Sequence, residues 1–170
     1  MSNVAVKSTG MVDETFTVPS QGGRPVAFGA SAGFFHPAAG PVGVLLCSPW
    51  GYEELCCHKS WRVLAEHCAG AGFPTLRFDY PGCGDSAGSD EGPDRLSACA
   101  HSIVRAAQTL RAHTGVERVV LCGLRLGATL AVLAAEAMAN DGGQRPDGLI
   151  LLAPPVTGRT YLRELRALRP

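Results

Sequence analysis

The 170 residues carry no formal net charge, and 46% of them are hydrophobic and 18% charged. This is the mix of one folded domain rather than a disordered chain. Neutrality supplies no basic field for nucleic acid or an anionic membrane surface, and no apolar run approaches the ~18 residues that span a bilayer.

The opening MSNVAVKSTGMVDETF has no basic head followed by an apolar core. It does not read as a signal peptide, which makes the cytoplasm the expected location. ETFTV (14–18) alternates weakly as a short strand, SQGG is turn chemistry, and RPVAFGASAGFF (24–35) reads as the return strand of an antiparallel hairpin. VGVLLC (42–47) is a short continuous apolar run, the pattern of a parallel strand buried on both faces.

HKSWRVLAEHCAGAG (58–72) sets Trp61, Leu64, Ala65 and Cys68 on one helical face, with Gly70 and Gly72 at its C-terminal end. PTLRFDY (74–80) is the next strand, and PGCGDSAGSDEGPD (81–94) a long loop rich in glycine and acid. Asp94 stands where it would cap a helix whose apolar stripe is Leu96, Cys99, Ile103, Ala107 and Leu110.

RVVLC (118–122) is a strand, and the helix from about Leu126 to Ala139 is apolar almost all round, which predicts cover on most sides. After the loop NDGGQRPD comes the strand GLILLAP (148–154). GRTYLRELRALRP closes the sequence as an amphipathic helix with Tyr161, Leu162, Leu165 and Leu168 on its apolar side.

A hairpin followed by alternating strands and helices predicts an α/β fold with three layers: a mostly parallel sheet between helices. Residues 1–157 form the core, and 158–170 a terminal helix. Binding chemistry in such a sheet gathers at the carboxyl ends of the strands. Three loops lie there: SPWGYEE, PGCGDS and GLRLG.

Seven cysteines, an odd number with no repeating interval, fit a reducing compartment better than a disulfide framework. Cys56, Cys57, His58, His67 and Cys68 cluster in sequence, but no Cys-x2-Cys pair accompanies them, so no metal or other cofactor is expected. GCGDSA (82–87) fits a dinucleotide fingerprint by letter. The acidic GSDEGPD that follows, where a helix should already run, argues against it.

LCGLRLGATL has the frame of a nucleophile elbow, Gly-x-Ser-x-Gly, with Arg125 in place of the serine between Gly123 and Gly127. Together with LLCSPWGYEE and RFDYPGCGDSAG, this frame resembles the α/β-hydrolase superfamily over residues 14–157. The set is most similar to its serine-aminopeptidase-like subgroup and to the hydrolases associated with exosortase systems of bacterial exopolysaccharide loci.

The resemblance implies a hydrolase of ester, amide or thioester bonds. It implies oxyanion or ligand binding by Pro49, Trp50, Gly51 and Leu126, and a structural loop built on Asp79, Gly82, Gly84, Asp85 and Ser86. It also implies that the stretch from residue 158 falls where a cap region begins, and that the sequence matches the N-terminal half of a longer protein or a shortened relative.

Within these 170 residues all five histidines precede Arg125, whereas the family triad runs serine, acid, histidine. The elbow residue itself is no nucleophile. Cys122, Cys83, Ser48 and Ser86 read as structural rather than as substitutes for it, and Trp50 and Tyr52 read equally as pocket lining or loop packing.

Two fates remain open for Arg125. With the Leu126 and Gly127 amides it binds an anionic or acyl-derived small molecule at a helix N-terminus, or it pairs with an acid such as Asp79, Asp85 or Glu53. The corresponding alternative to a hydrolase is a non-catalytic binding or scaffold protein on the same fold. A sheet edge left bare predicts a homodimer or another partner covering it.

Overall fold

The computed structural model describes residues 22–89, 91–140 and 142–167. They form one six-stranded sheet with four helices. The elements are β1 (Arg24–Phe28), β2 (Ser31–His36), β3 (Val42–Cys47), α1 (Tyr52–Gly70), β4 (Thr75–Phe78), α2 (Arg95–Thr114), β5 (Arg118–Leu124), α3 (Leu126–Asn140), β6 (Gly148–Leu152) and α4 (Gly158–Ala167). The strand order is β1-β2-β4-β3-β5-β6, antiparallel at β1–β2 and β2–β4 and parallel elsewhere.

An antiparallel hairpin is formed within 24–35, which the sequence reads as a single strand; ETFTV, its expected partner, falls outside the described residues. The chain reverses at Gly29, whose φ of 58° favours glycine. α1 starts six residues before the expected 58, at the turn made by Gly51 (φ 64°), whose carbonyl accepts the Glu54 and Leu55 N–H groups. Asp94 sits at the start of α2 but makes no side-chain capping bond; its carbonyl accepts Ala98 N–H.

The apolar runs of β3 and β5 follow from cover on both faces. Val44, Leu46 and Cys122 pack under α1 with Trp61 and Ala65. Leu45, Cys47 and Leu121 face α2 and α3, against Ile103, Leu110, Leu130 and Ala134. Burial of each large side chain here stabilises the fold by roughly 1.5–3 kcal/mol.

α3 departs from the expected all-round cover. Ala128, Leu130, Ala131, Ala134 and Met138 are buried, whereas Val132 and Leu133 are exposed, because among the described residues no element lies on that side. In α4, Tyr161 alone is buried and Leu162 is exposed.

Candidate functional site at the carboxyl edge of the sheet

β5 and α3 meet without a loop, and Arg125 is the single residue between them. It takes a φ of 53°, a left-handed conformation that costs an L-residue roughly 1–2 kcal/mol. Its N–H donates to Leu152 O at 2.9 Å, tying the bend to the end of β6.

The flanking glycines are required by close approach. A Cβ on Gly127 would collide with the Cys47 and Ser48 carbonyls at the end of β3, and one on Gly123 with the Ala128 backbone. The tight bend therefore brings the start of α3 against the β3 end, and residue 125 emerges at the mouth of the sheet.

Each of the three guanidinium nitrogens of Arg125 finds an acceptor there. Nε donates to Glu53 Oε1 at 2.8 Å, Nη2 donates to Glu164 Oε2, and Nη1 donates to Ala153 O at 3.4 Å. Tyr161 closes the group from α4: its hydroxyl donates to Glu53 Oε2 at 3.3 Å, and its ring centroid lies 5.8 Å from Arg125 Cζ.

Arg125 is held further into its charged form by the hydrogen bond to Glu53 and then the one to Glu164. Burial, followed by the Glu53 charge, pushes the Tyr161 phenol up to about 12. Of the acids the sequence offers to Arg125, Glu53 is bonded to it, while Asp79 and Asp85 serve another loop. Glu164 lies 39 residues away in sequence, and no motif announces it.

That other loop is fixed by its own polar groups. Asp85 N–H donates to Asp79 Oδ2 at 3.0 Å, Ser86 Oγ donates to Asp79 O at 2.7 Å, and Ala32 N–H donates to Ser86 Oγ at 2.8 Å. Gly82 (φ 72°) and Gly84 (φ 50°) take left-handed turns, and a Cβ on Gly84 would strike the Asp79 carboxylate. Ser86 thus stitches the loop to β2, and the Asp79 carboxylate accepts the Asp85 backbone N–H.

Of the residues expected to supply oxyanion donors, Pro49 has no N–H and cannot serve; this corrects its assignment. It is fully buried beneath the mouth. The Trp50, Gly51 and Leu126 amides remain as backbone donors in the segments that flank it. The Trp50 ring packs on the core and under the Arg95 guanidinium at 4.8 Å, whereas Tyr52 is exposed.

The thiols near the mouth are held protonated. Burial raises Cys122 to about 11, and burial also raises Cys83, whose Sγ accepts a bond from Arg95 Nη2 at 3.2 Å. Ser48 is buried, and its carbonyl accepts the Tyr80 hydroxyl at 3.0 Å. Among the described residues the one serine–histidine side-chain hydrogen bond joins Ser97 to His101 on the exposed face of α2. Among them, too, no three His, Cys, Asp or Glu side chains gather as a metal site.

A mostly parallel sheet with helices on both faces and a one-residue strand-to-helix bend defines a hydrolase-type α/β architecture. The pattern of the alpha/beta hydrolase fold matches residues 44–166, more than half of the chain, and the chain belongs to that family.

Solved structures agree on the fold. XC6422 from Xanthomonas campestris, an α/β serine hydrolase without a lid, superposes with a TM-score of 0.63 at 23% identity, over 82% of this chain and 64% of its own. An α/β serine hydrolase homologue from Coxiella burnetii gives 0.58 at 21%, over 91% and 69%. A putative α/β hydrolase from Agrobacterium tumefaciens gives 0.57 at 16%, over 86% and 80%. The chain thus spans less than two thirds of the length of XC6422. No curated protein matches the sequence. No helix among the described residues is long and apolar enough to cross a membrane.

Proposed function

We propose that this chain is a non-hydrolytic member of its family, an elbow variant that binds an anionic or acyl small molecule at the mouth instead of cleaving it. One observation carries the reading. The residue in the strained bend, where the family resemblance expects a nucleophile, is an arginine whose three guanidinium nitrogens all donate hydrogen bonds. A guanidinium does not attack a carbonyl; it recognises carboxylates and phosphates.

The cluster holds one positive and two negative side chains, Arg125 with Glu53 and Glu164. A further anion is favourable only when it takes the place of one carboxylate. Glu164 is the one to leave: its side chain is 44% exposed against 17% for Glu53, and its helix is held by one buried residue. A ligand carboxylate or phosphate then meets the guanidinium together with the Leu126 and Gly127 amides at the start of α3.

The finer placement follows from motif resemblance: an exosortase-associated, serine-aminopeptidase-like relative in a bacterial cytoplasm. The free cysteines are consistent with that compartment.

Thermal melts with acetate, phosphate or butyryl-CoA test the proposal. At about 100 times Kd a ligand specific for the folded state adds about 2.7 kcal/mol of stability. The expected result is a saturable upward shift with at least one probe, lost in Arg125→Met. Equal shifts in both proteins, or none with any probe, would overturn it.

A further inference from the structure

The β1–β2 turn, the loop that follows β4 and one face of α2 enclose a cavity of about 180 Å³. In the sheet, β4 and β3 stand between it and the bend at Arg125. Backbone bonds fix its walls: Ala87 N–H donates to Ala30 O at 2.8 Å, and Asp79 N–H donates to Ala32 O at 2.9 Å. Phe28 closes the β1 side, its ring set against Phe78 at 5.6 Å between centroids. On α2 the wall is Ala98, His101, Ser102 and Arg105, spaced i, i+3, i+4 and i+7 along one helical face.

Two polar groups in this cavity point to a ligand. Among the described residues Arg105 enters no ion pair, and no acid lines the cavity. Its guanidinium lies against the turn, with Nη1 3.0 Å from where a Cβ on Gly29 would stand. Ser31 is 4% exposed, and its hydroxyl has no hydrogen-bond partner among the described residues, although buried hydroxyls ordinarily have one.

We propose that this cavity binds a small aromatic monocarboxylate. A guanidinium takes a carboxylate through two parallel hydrogen bonds, and the Ser31 hydroxyl supplies a further donor to one of its oxygens. The ring lies on Phe28, Ala30, Pro81 and Ala98.

Size and charge agree. A cavity of about 150 Å³ holds a benzene ring, and this one is larger. It is smaller than the pockets that enclose drug-sized molecules, which start at about 300 Å³. One guanidinium neutralises one carboxylate, whereas a phosphate dianion would keep an uncompensated charge beside the apolar wall. Binding here is independent of what Arg125 holds.

Titration of the isotope-labelled full chain with benzoate, followed by amide NMR spectra, tests it. The expected result is saturable shifts of the amides at 28–31 and 98–105 that persist in Arg125→Met, whatever the amides at 124–127 do. Benzamide, the neutral counterpart, is expected to bind the wild type at least about tenfold more weakly, and so is benzoate to Arg105→Met. Should Arg105→Met not fold, Ala98→Phe decides: it fills the cavity from an exposed helix position and must abolish the shifts at 28–31.

Benzoate shifts confined to 124–127 would place the acid at the mouth and overturn the cavity as its site. No saturable shift at 28–31, benzamide binding as tightly as benzoate, or full affinity in folded Arg105→Met or Ala98→Phe would do the same.

Discussion

Replacing Arg125 with alanine and, separately, with glycine separates the two things this residue does. Both substitutions delete the guanidinium and its bonds to Glu53, Glu164 and Ala153. The Glu164 arm is exposed enough to count as a surface pair, worth up to about 1 kcal/mol. The Glu53 arm is more sheltered; losing it leaves that carboxylate with the Tyr161 hydroxyl, at a cost of about 1–2 kcal/mol.

Arg125→Ala is therefore expected to destabilise the fold by about 1–3 kcal/mol. Glycine removes the same bonds but also relieves the left-handed φ of 53°, returning about 1–2 kcal/mol. Greater freedom of the unfolded glycine chain offsets about 0.4–1 kcal/mol of that gain. Arg125→Gly should then be the more stable variant by about 0.8 kcal/mol from the midpoints of those ranges, the reverse of the usual order.

Urea unfolding followed by circular dichroism measures the difference, provided the m-values agree. In a domain of this size it corresponds to a melting difference of about 1–4 °C. An alanine variant as stable as the glycine variant, or more so, would refute the strained bend.

Two further outcomes follow from the packing. Gly127→Ala drives a methyl group into the Cys47 and Ser48 carbonyls, which are backbone and cannot turn aside. A loss of about 3 kcal/mol or failure to fold is expected in urea titration, and a loss under 1 kcal/mol would contradict the close approach.

His36 is buried with Nδ1 unpartnered, and burial, then the Arg77 charge, lowers its pKa below the ordinary 6.5. The unfolded chain binds that proton more readily than the fold does. Stability is therefore present above the unfolded value and falls as pH drops from 6.5 towards the lowered one, by at most about 1.4 kcal/mol per pH unit. His36→Gln should flatten that slope between pH 7 and 5, and an unchanged slope would assign it elsewhere.

The strands were legible because parallel strands leave little alternative: VGVLLC and GLILL are too short and too apolar for surface helices. The Asp79–Ser86 loop was legible from its glycines and short polar side chains, which write their own local bonds. The reversal at Gly29 was missed because it sits within a run of small and apolar residues that reads as one strand.

The early start of α1 was hidden as well. Tyr52, Leu55 and Cys56 are exposed and make no apolar stripe, so the start is set by the turn at Gly51 rather than by a capping side chain. Arg125 could be placed at the mouth from two glycines, but its partnership with Glu164 spans 39 residues and depends on where α4 returns over the sheet. No local pattern encodes that.

The residue at the bend bonds and does not attack, and ester turnover tests this most directly. Initial rates with p-nitrophenyl butyrate should equal buffer alone for the wild type, with Arg125→Met no different. A wild-type rate above buffer that a serine- or thiol-directed reagent abolishes would show another nucleophile at work and contradict the account.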